Sequence, residues 1–578
     1  MSRINILKKT VFVALAIIAV RLFFIQIVEH DMWVAKANEK HTILETISPK
    51  RGEIYMMDGN EPVAVVLNQT VYSVIIDPAV TDKTEIKNAL ETHAKKYITA
   101  DLDEVYNIEG LRYYIVAKNV PYTNAVAIAE EGIGAVWLKE GNARVYPEGE
   151  MASGMLGFVN ADGLGQYGTE GSLNKILTGK EGTLKTIADV NKVALSIGSD
   201  NIKIPAEDGK DVVLSVDRNL EKGIEERAMN AINNTAADHA AVLVMNPNNG
   251  EVLAMASLPN YNPANYGRVK DASAYINQVT EVPYEPASIC KSFAYSAAIN
   301  ERKMNGATTY FNRHYEKVDD WTIWNAETRS SLYGNITMMD ALYWSLNTGS
   351  IYALKLLGDN PDEINQKGRE KLYDYYHNKF RLGRATGIEL IEAEGYIEDP
   401  NEGWGRNSTY ANMTFGQNLG ITMIQTATAF SAVINGGYWR TPSIVKGTLE
   451  KNGTIKPLEN RETVEEQILN SETSSIMRDL LINNRSWKVR NGTDRPGYSI
   501  GGKTGTAQVI VDGQYDSEMN NLIGSYMGFI GTAGEMPSYV VMIKMWGEGQ
   551  AIGSGDAMDL FDNISKYIID YYKIKPKA

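Results

Sequence analysis

The chain has 578 residues, 44% of them hydrophobic and 22% charged, with a formal net charge of −14, six histidines and one cysteine. That length exceeds one ordinary core and predicts two or more domains. The acidic balance argues against nucleic acid as the principal partner, because phosphate recognition needs fields of Lys and Arg; the single cysteine excludes an internal disulfide and a Cys-based zinc site, and nothing calls for a metal or cofactor.

Arg3, Lys8 and Lys9 precede an apolar run from Val11 to Val28, interrupted only by Arg21 and Gln26. Such a run comes close to the length a bilayer requires, and Arg21 can snorkel toward the headgroups. The basic side predicts a cytoplasmic tail at 1–10, a transmembrane anchor at 11–28 and the rest of the chain on the outer face of the membrane. A cleaved secretory signal is the competing reading, but the small-x-small tripeptide Ala35-Lys36-Ala37 lies well beyond the apolar core.

Residues 51–55 and 71–76 read as short strands by their β-branched and aromatic content. A helix is predicted from Asp82 to Tyr97, capped by Asp82 with Glu85 three residues on, and a second from Thr123 to Glu131, ended by Gly132. Turn chemistry at Pro205-Ala206-Glu207-Asp208-Gly209 divides this small α+β module from the rest of the chain. Past it come a strand at 212–216, a helix at 219–232, and strands at 240–245 and 251–256 joined as a hairpin across Asn246-Pro247-Asn248-Asn249-Gly250. Near the C-terminus, 498–502 running into 504–511 and 538–545 read as a strand pair, and a helix spans Met558 to Tyr572. Strands at both ends of a long helical middle predict an α/β (α+β) sheet assembled from distant segments and covered by helices. The expected division is 29–205 for the first domain and 206–578 for the second.

Three short motifs stand out. Ser-x-x-Lys occurs at Ser172/Lys175, Ser288/Lys291 and Ser443/Lys446; Ser-x-Asn at Ser172/Asn174, Ser199/Asn201 and Ser345/Asn347; Lys-Thr-Gly once, at Lys503-Thr504-Gly505, followed by Thr506. A single copy of either of the first two is more often a surface accident than a site. Only Ser288 follows a Glu285-Pro286 pair and opens an apolar helical run through Phe293, Ala294, Ala297 and Ala298. Positions i and i+3 share a helix face, so Lys291 can reach the Ser288 hydroxyl. A serine is a poor nucleophile until a base takes its proton. Lysine serves as that base only when neutral, and burial together with a second cation, for which Lys503 is the candidate, depresses its pKa. No histidine neighbours these serines and no Gly-x-Ser-x-Gly elbow is present, which disfavours a Ser/His/Asp arrangement.

In this order the three motifs resemble those of the penicillin-recognising serine transferases, and about residues 40–575 resemble the class B penicillin-binding proteins, monofunctional D,D-transpeptidases. The likeness is carried further by Arg51-Gly52-Glu53-Ile54-Tyr55, Arg144-Val145-Tyr146-Pro147, Leu156-Gly157-Phe158-Val159, Gly168-x-Glu170-Gly171, the stretch from Val244 to Ala254, Gly416-Gln417, Gln425 and Asn435-Gly436-Gly437. It implies a central antiparallel sheet flanked by helices on an elongated α+β pedestal. It also implies that Ser288 is acylated by the penultimate D-alanine of a stem peptide ending in D-Ala-D-Ala, with Lys291 as general base. Ser345 would relay a proton to the leaving amine between Lys291 and Lys503. Asn347 would orient Lys291 and bind the substrate amide, and Lys503 would supply positive potential. Thr504 and Thr506 would hold the terminal carboxylate, with Gly505 between them, and the backbone N–H groups of Ser288 and Thr506 would form the oxyanion hole. β-Lactams would acylate the same serine. A polytopic glycan polymerase of the SEDS type is the implied partner, and the wording at 146–150 and 157–159 leans toward the division-associated branch.

Three departures from the family pattern are visible. Ala287 stands where glycine is usual and is small enough to do little harm; Cys290 stands where a larger apolar side chain is common and reads as a small buried residue rather than a reactive thiol; Met56-Met57 replace Asp-Arg, which touches a pedestal ion pair and not catalysis. The tyrosines of the last helix read as packing, Trp321 and Trp324 either rim the groove or pack on the core, and His239 and His314 read as structural. The alternative functions on the same motifs are a D,D-carboxypeptidase or β-lactamase-type hydrolase, a β-lactam sensor, and a non-catalytic scaffold of a division complex.

Overall fold

The computed structural model describes residues 3–33, 36, 42–187, 202–459, 461–486, 494–511, 514–515 and 521–577. The small-x-small tripeptide falls partly outside them, as does the region around residue 200. Two compact units divide the chain, one made of 1–52 with 178–210, the other of 53–177 with 211–578.

In the first unit, a helix at Arg3–Phe23 continues to Val28 as a wider π-helical turn. It is long and apolar enough to cross a membrane, and none of it is buried against protein. Three antiparallel strands, Thr42–Ile47, Gly182–Ile187 and Ile202–Ile204, form this unit's sheet in that spatial order.

The second unit opens on Ile54–Asp58, which turns back through Glu61–Ile76; the latter pairs with both Tyr114–Pro121 and Val136–Val145. The first expected helix is present at Lys83–His93, where the Asp82 carboxylate accepts from the N–H groups of Thr84 and Glu85. It stops at Ala94, short of Tyr97, because the chain leaves helical geometry there (φ −138°). The second spans Tyr122–Glu130. Ile86, Leu90, Val116 and Ile128 close a small core between these pieces. Strand Ile54–Asp58 also runs parallel to Asp211–Asp217, which in turn pairs with Val445–Leu449.

From Arg218 onward the fold serves the site. Its parts, in chain order, are helix α1 (Arg218–Asn234), strands β1 (His239–Met245) and β2 (Val252–Leu258), helices α2 (Lys291–Asn300), α3 (Asn347–Leu357), α4 (Met423–Ile434) and α5 (Ser471–Ser486), strands β3 (Tyr498–Gln508), β4 (Leu522–Thr532) and β5 (Tyr539–Trp546), and helix α6 (Ser554–Tyr571). The five strands form one antiparallel sheet in the order β2-β1-β5-β4-β3, so the two ends of this region meet where β1 pairs with β5. The expected pairing of β3 with β5 is corrected here, because β4 lies between them. Gly524, Gly528 and Gly531 weaken the strand signal of β4, yet the packing needs them bare. A Cβ on Gly528 would lie 2.6 Å from the Phe561 ring of α6 and 2.8 Å from the Gly501 carbonyl.

The sheet is buried on both faces. Val541, Ile543 and Met545 of β5 pack with Leu220 and Ile224 of α1 and Phe561 and Ile564 of α6. Val540 and Met542 point the other way, into the larger core with Phe293 of α2 and Phe430 of α4. The C-terminal tyrosines pack as the sequence suggests: Tyr571 and Tyr572 hydroxyls donate to Asp217, whose carboxylate also caps α1. Within α1, Glu221 is fully buried and accepts from the Met255 N–H at 2.7 Å, while Glu225 accepts from Ala152 N–H at 2.8 Å. Burial first, and the Glu225 carboxylate second, push the Glu221 carboxyl well above its ordinary range.

Two outcomes are expected. Gly528→Ala forces α6 off the sheet and destabilises this unit by about 1–3 kcal/mol, the usual cost of overpacking, measurable by urea denaturation. Glu221 takes up its proton more readily folded than unfolded, so the stability it contributes is present at low pH and is lost as pH rises past the ordinary Glu value of about 4.3. Glu221→Gln should therefore gain on the unmodified protein at pH 8 relative to pH 5, read from melting temperatures at the two values.

Candidate active site

Residues Ala287–Cys290 form a single 3-10 turn, and the α-helix proper begins at Lys291. The turn still sets Ser288 and Lys291 three residues apart on one helical path. Ser288 is half-buried, whereas Lys291 is 1% exposed. Ala287 has φ +51°, a left-handed conformation costing a non-glycine residue about 1–2 kcal/mol. The family's glycine is thus a backbone requirement, and size is not the only thing that alanine changes. The Ala287 N–H donates to the Gly416 carbonyl at 3.2 Å, and a side chain on Gly416 would collide with the Ala287 carbonyl. The turn is therefore clamped backbone to backbone by the 416–420 segment.

On its other side the turn packs on β3. A Cβ on Gly505 would stand 2.5 Å from the Pro286 carbonyl and 2.5 Å from the Ser525 hydroxyl. Only a glycine lets the strand come this close. Lys503, two residues back on the same strand face, is 0% exposed. Thr504 is half-buried, Gly505 buried and Thr506 exposed at the strand's open edge.

The third segment sits at the start of α3. Ser345 has φ +56°, a second left-handed non-glycine residue. Its hydroxyl receives Lys503 Nζ at 2.8 Å and Lys291 Nζ at 3.3 Å, and its carbonyl receives Lys291 Nζ at 2.6 Å. The three motifs expected to meet therefore do so, within hydrogen-bond reach of one oxygen. Asn347 lies two residues on, and its Nδ2 donates to the Trp324 carbonyl at 2.9 Å. Trp324 and Trp321 are exposed on the short hairpin that this bond ties to the site. Of the other copies, Ser443 donates to Glu389 at 3.0 Å, away from this site, and Ser199/Asn201 lies outside the described residues.

Cys290 is wholly buried, and desolvation pushes its thiol upward. Its carbonyl accepts from the Tyr376 hydroxyl at 3.2 Å. Tyr376 and Gly416 both position this turn, and sequence reasoning assigns no such role to either of them. Gly416-Gln417 carries part of the family likeness, but nothing in the sequence marks Gly416 as a clamp on this turn. Past Thr506 the groove leads to a cavity of about 310 Å³ whose wall includes Ala507, Gln508, Tyr284 and Lys544.

Buried paired lysines, a half-exposed serine at a helix start and a strand edge beside it make a site for serine acyl transfer. Comparison with known proteins agrees. A family model described as the penicillin binding protein transpeptidase domain matches residues 240–566, and one described as the penicillin-binding protein dimerisation domain matches 46–214. The chain belongs to the penicillin-binding protein transpeptidase family. It is similar to stage V sporulation protein D of Bacillus subtilis (strain 168), 29% identical over 603 residues, covering 100% of this chain and 88% of that one. It is also similar to peptidoglycan D,D-transpeptidase FtsI of Escherichia coli (strain K12), 25% identical over 594 residues, covering 100% and 93%. The crystal structure of penicillin binding protein 2X from Streptococcus thermophilus shares the fold with a TM-score of 0.71 at 23% identity, over 92% of this chain and 80% of that one.

The burial of Cys290 gives a direct test of its inertness. A thiol reagent at pH 8 should leave the native chain unlabelled and should label one thiol per chain in denaturant, read by intact mass.

Proposed function

We propose that this chain is a peptidoglycan D,D-transpeptidase working through an acyl-enzyme on Ser288. The observation that carries the reading is the meeting of Lys291 and Lys503 at the Ser345 hydroxyl, beside a serine turn clamped between Gly416 and Gly505. The names of the relatives support the same activity.

In this reading Ser288 Oγ attacks the penultimate D-alanine carbonyl and gives its proton to Lys291. The new C–O bond leaves an oxyanion, held by the backbone N–H groups of Ser288 and Thr506; such donors contribute about 2.7–4 kcal/mol each in comparable enzymes. Collapse breaks the peptide C–N bond. The departing amine takes a proton through Ser345, which stands between the two ammonium groups, and leaves as free D-alanine. Lys503, Thr504 and Thr506 hold the terminal carboxylate while this happens, and Gly505 keeps the strand against the turn. Asn347, its Nδ2 held by the Trp324 carbonyl, orients Lys291 and binds the substrate amide. An amine from a second stem peptide then attacks the ester, forms the cross-link and releases Ser288. A β-lactam carbonyl enters the same first step, but its leaving nitrogen stays tethered, so the adduct persists.

The apolar helix at Arg3–Val28 serves as a single-pass anchor with the basic end in the cytoplasm, and it leaves the catalytic unit outside. Residues 29–205 act as the pedestal and 206–578 as the transpeptidase domain. The pedestal and anchor would dock a polytopic glycan polymerase of the SEDS type, and the likeness to FtsI supports the division-associated branch.

Treatment of the purified chain with a penicillin should add one drug mass to the peptide carrying Ser288, and Ser288→Ala should carry none. An adduct on another residue, or one undiminished in Ser288→Ala, would falsify the site.

A further inference from the structure

Lys544 belongs to none of the three motifs. It lies on β5, directly across from Ser525 of β4, which lies across from Gly505 of β3. One row of the sheet thus leads from the strand edge beside Ser288 to Lys544, about 10 Å away at the usual interstrand spacing. Val540 and Met542, which precede it on the same face, are core residues; at the next position the alternation delivers a lysine.

The side chain is 2% exposed. Its Nζ donates to Gln278 Oε1 at 3.1 Å and approaches the Gln278 carbonyl at 3.5 Å. Otherwise it faces the rings of Trp546 at 4.5 Å and Tyr284 at 4.9 Å. Among the described residues no carboxylate forms an ion pair with it. Burying an ammonium without a counter-charge is costly, and here burial pushes it down to about 7. The same lysine lines the cavity of about 310 Å³ that begins at Ala507 and Gln508. Glu285 lines that cavity too, but its Oε1 is held by the Asn418 N–H at 2.8 Å.

We propose that this cavity is a specificity subsite for a side-chain carboxylate on the donor peptide, which pairs with the Lys544 ammonium. The proposal rests on the transpeptidase reading and names the substrate class for it. A peptide whose terminal carboxylate sits at Thr504 and Thr506 extends alongside Ala507 and Gln508, so the residue preceding its D-alanyl-D-alanine end reaches the cavity. Tyr284 and Trp546 cover the stem of that side chain, and Lys544 Nζ meets its charged end.

The test uses the full chain in detergent and two thioester peptides that acylate a serine. They differ only in whether the residue before the acylating alanine carries a side-chain carboxylate or a carboxamide. Acylation is timed by intact mass, with labelled penicillin reporting Ser288. The carboxylate peptide should react about tenfold faster or more, as a buried charge-assisted contact implies. Lys544→Met and Lys544→Gln should bring the two rates together; because the ratio is taken within each protein, a general loss cancels. Equal rates in the unmodified chain with penicillin still bound, or a preference that survives both substitutions, would overturn the subsite alone. Failure of penicillin to label Ser288 would overturn the functional reading and the subsite with it.

Discussion

Two buried lysine amines share one hydroxyl, and the catalytic unit is built to keep them there. Charging both Lys291 and Lys503 would set two cations against each other in a low dielectric, which favours the neutral Lys291 that a base requires. They stay together because each is fixed by its own element, one at the start of α2 and one inside β3, and because Ser345 accepts from both. The backbone strain nearby belongs to the same constraint. Ala287 and Ser345 both hold left-handed backbones, while Gly416 and Gly505 are bare so that main chains can touch. A site assembled from segments near residues 288, 345 and 503 needs a scaffold that does not yield, and the sheet buried on both faces provides it.

The architecture answers that need. Strands β1 and β2 come from one end of the catalytic region and β3 to β5 from the other, with the helices between them wrapped over one face. Long-range pairing of this kind is expensive in chain entropy. In return it fixes a strand edge against a helix start, with no flexible loop between them. Lys544 fits the same scheme. It lies along the row of the sheet that leads away from the Ser288 turn, and the proposed subsite would extend the groove in that direction.

Much of this was legible in the residues. Alternating and β-branched runs marked β1, β2 and β5, and the Asn246–Gly250 turn marked their hairpin, because these signals are local. Local context, the Glu285-Pro286 pair before it and the apolar helical run after it, was enough to select Ser288 among three candidates. What escaped has a physical reason in each case. β4 was hidden by its own glycines, whose space is taken by Phe561 and by neighbouring main chain. The left-handed turns at Ala287 and Ser345 fall on residues that rarely adopt them, so composition gave no hint. The clamp by Gly416 and the place of Lys544 are tertiary facts. In the sequence, Lys544 is one cation in an apolar strand, and only the register shows which face it takes.

The most direct measurement is a crystal structure of the chain acylated by a penicillin. The mechanism requires an ester to Ser288 Oγ, the ester carbonyl oxygen between the N–H groups of Ser288 and Thr506, and the drug carboxylate on the hydroxyls of Thr504 and Thr506. An ester oxygen turned away from β3, with Lys291 and Lys503 no longer meeting at Ser345, would contradict it.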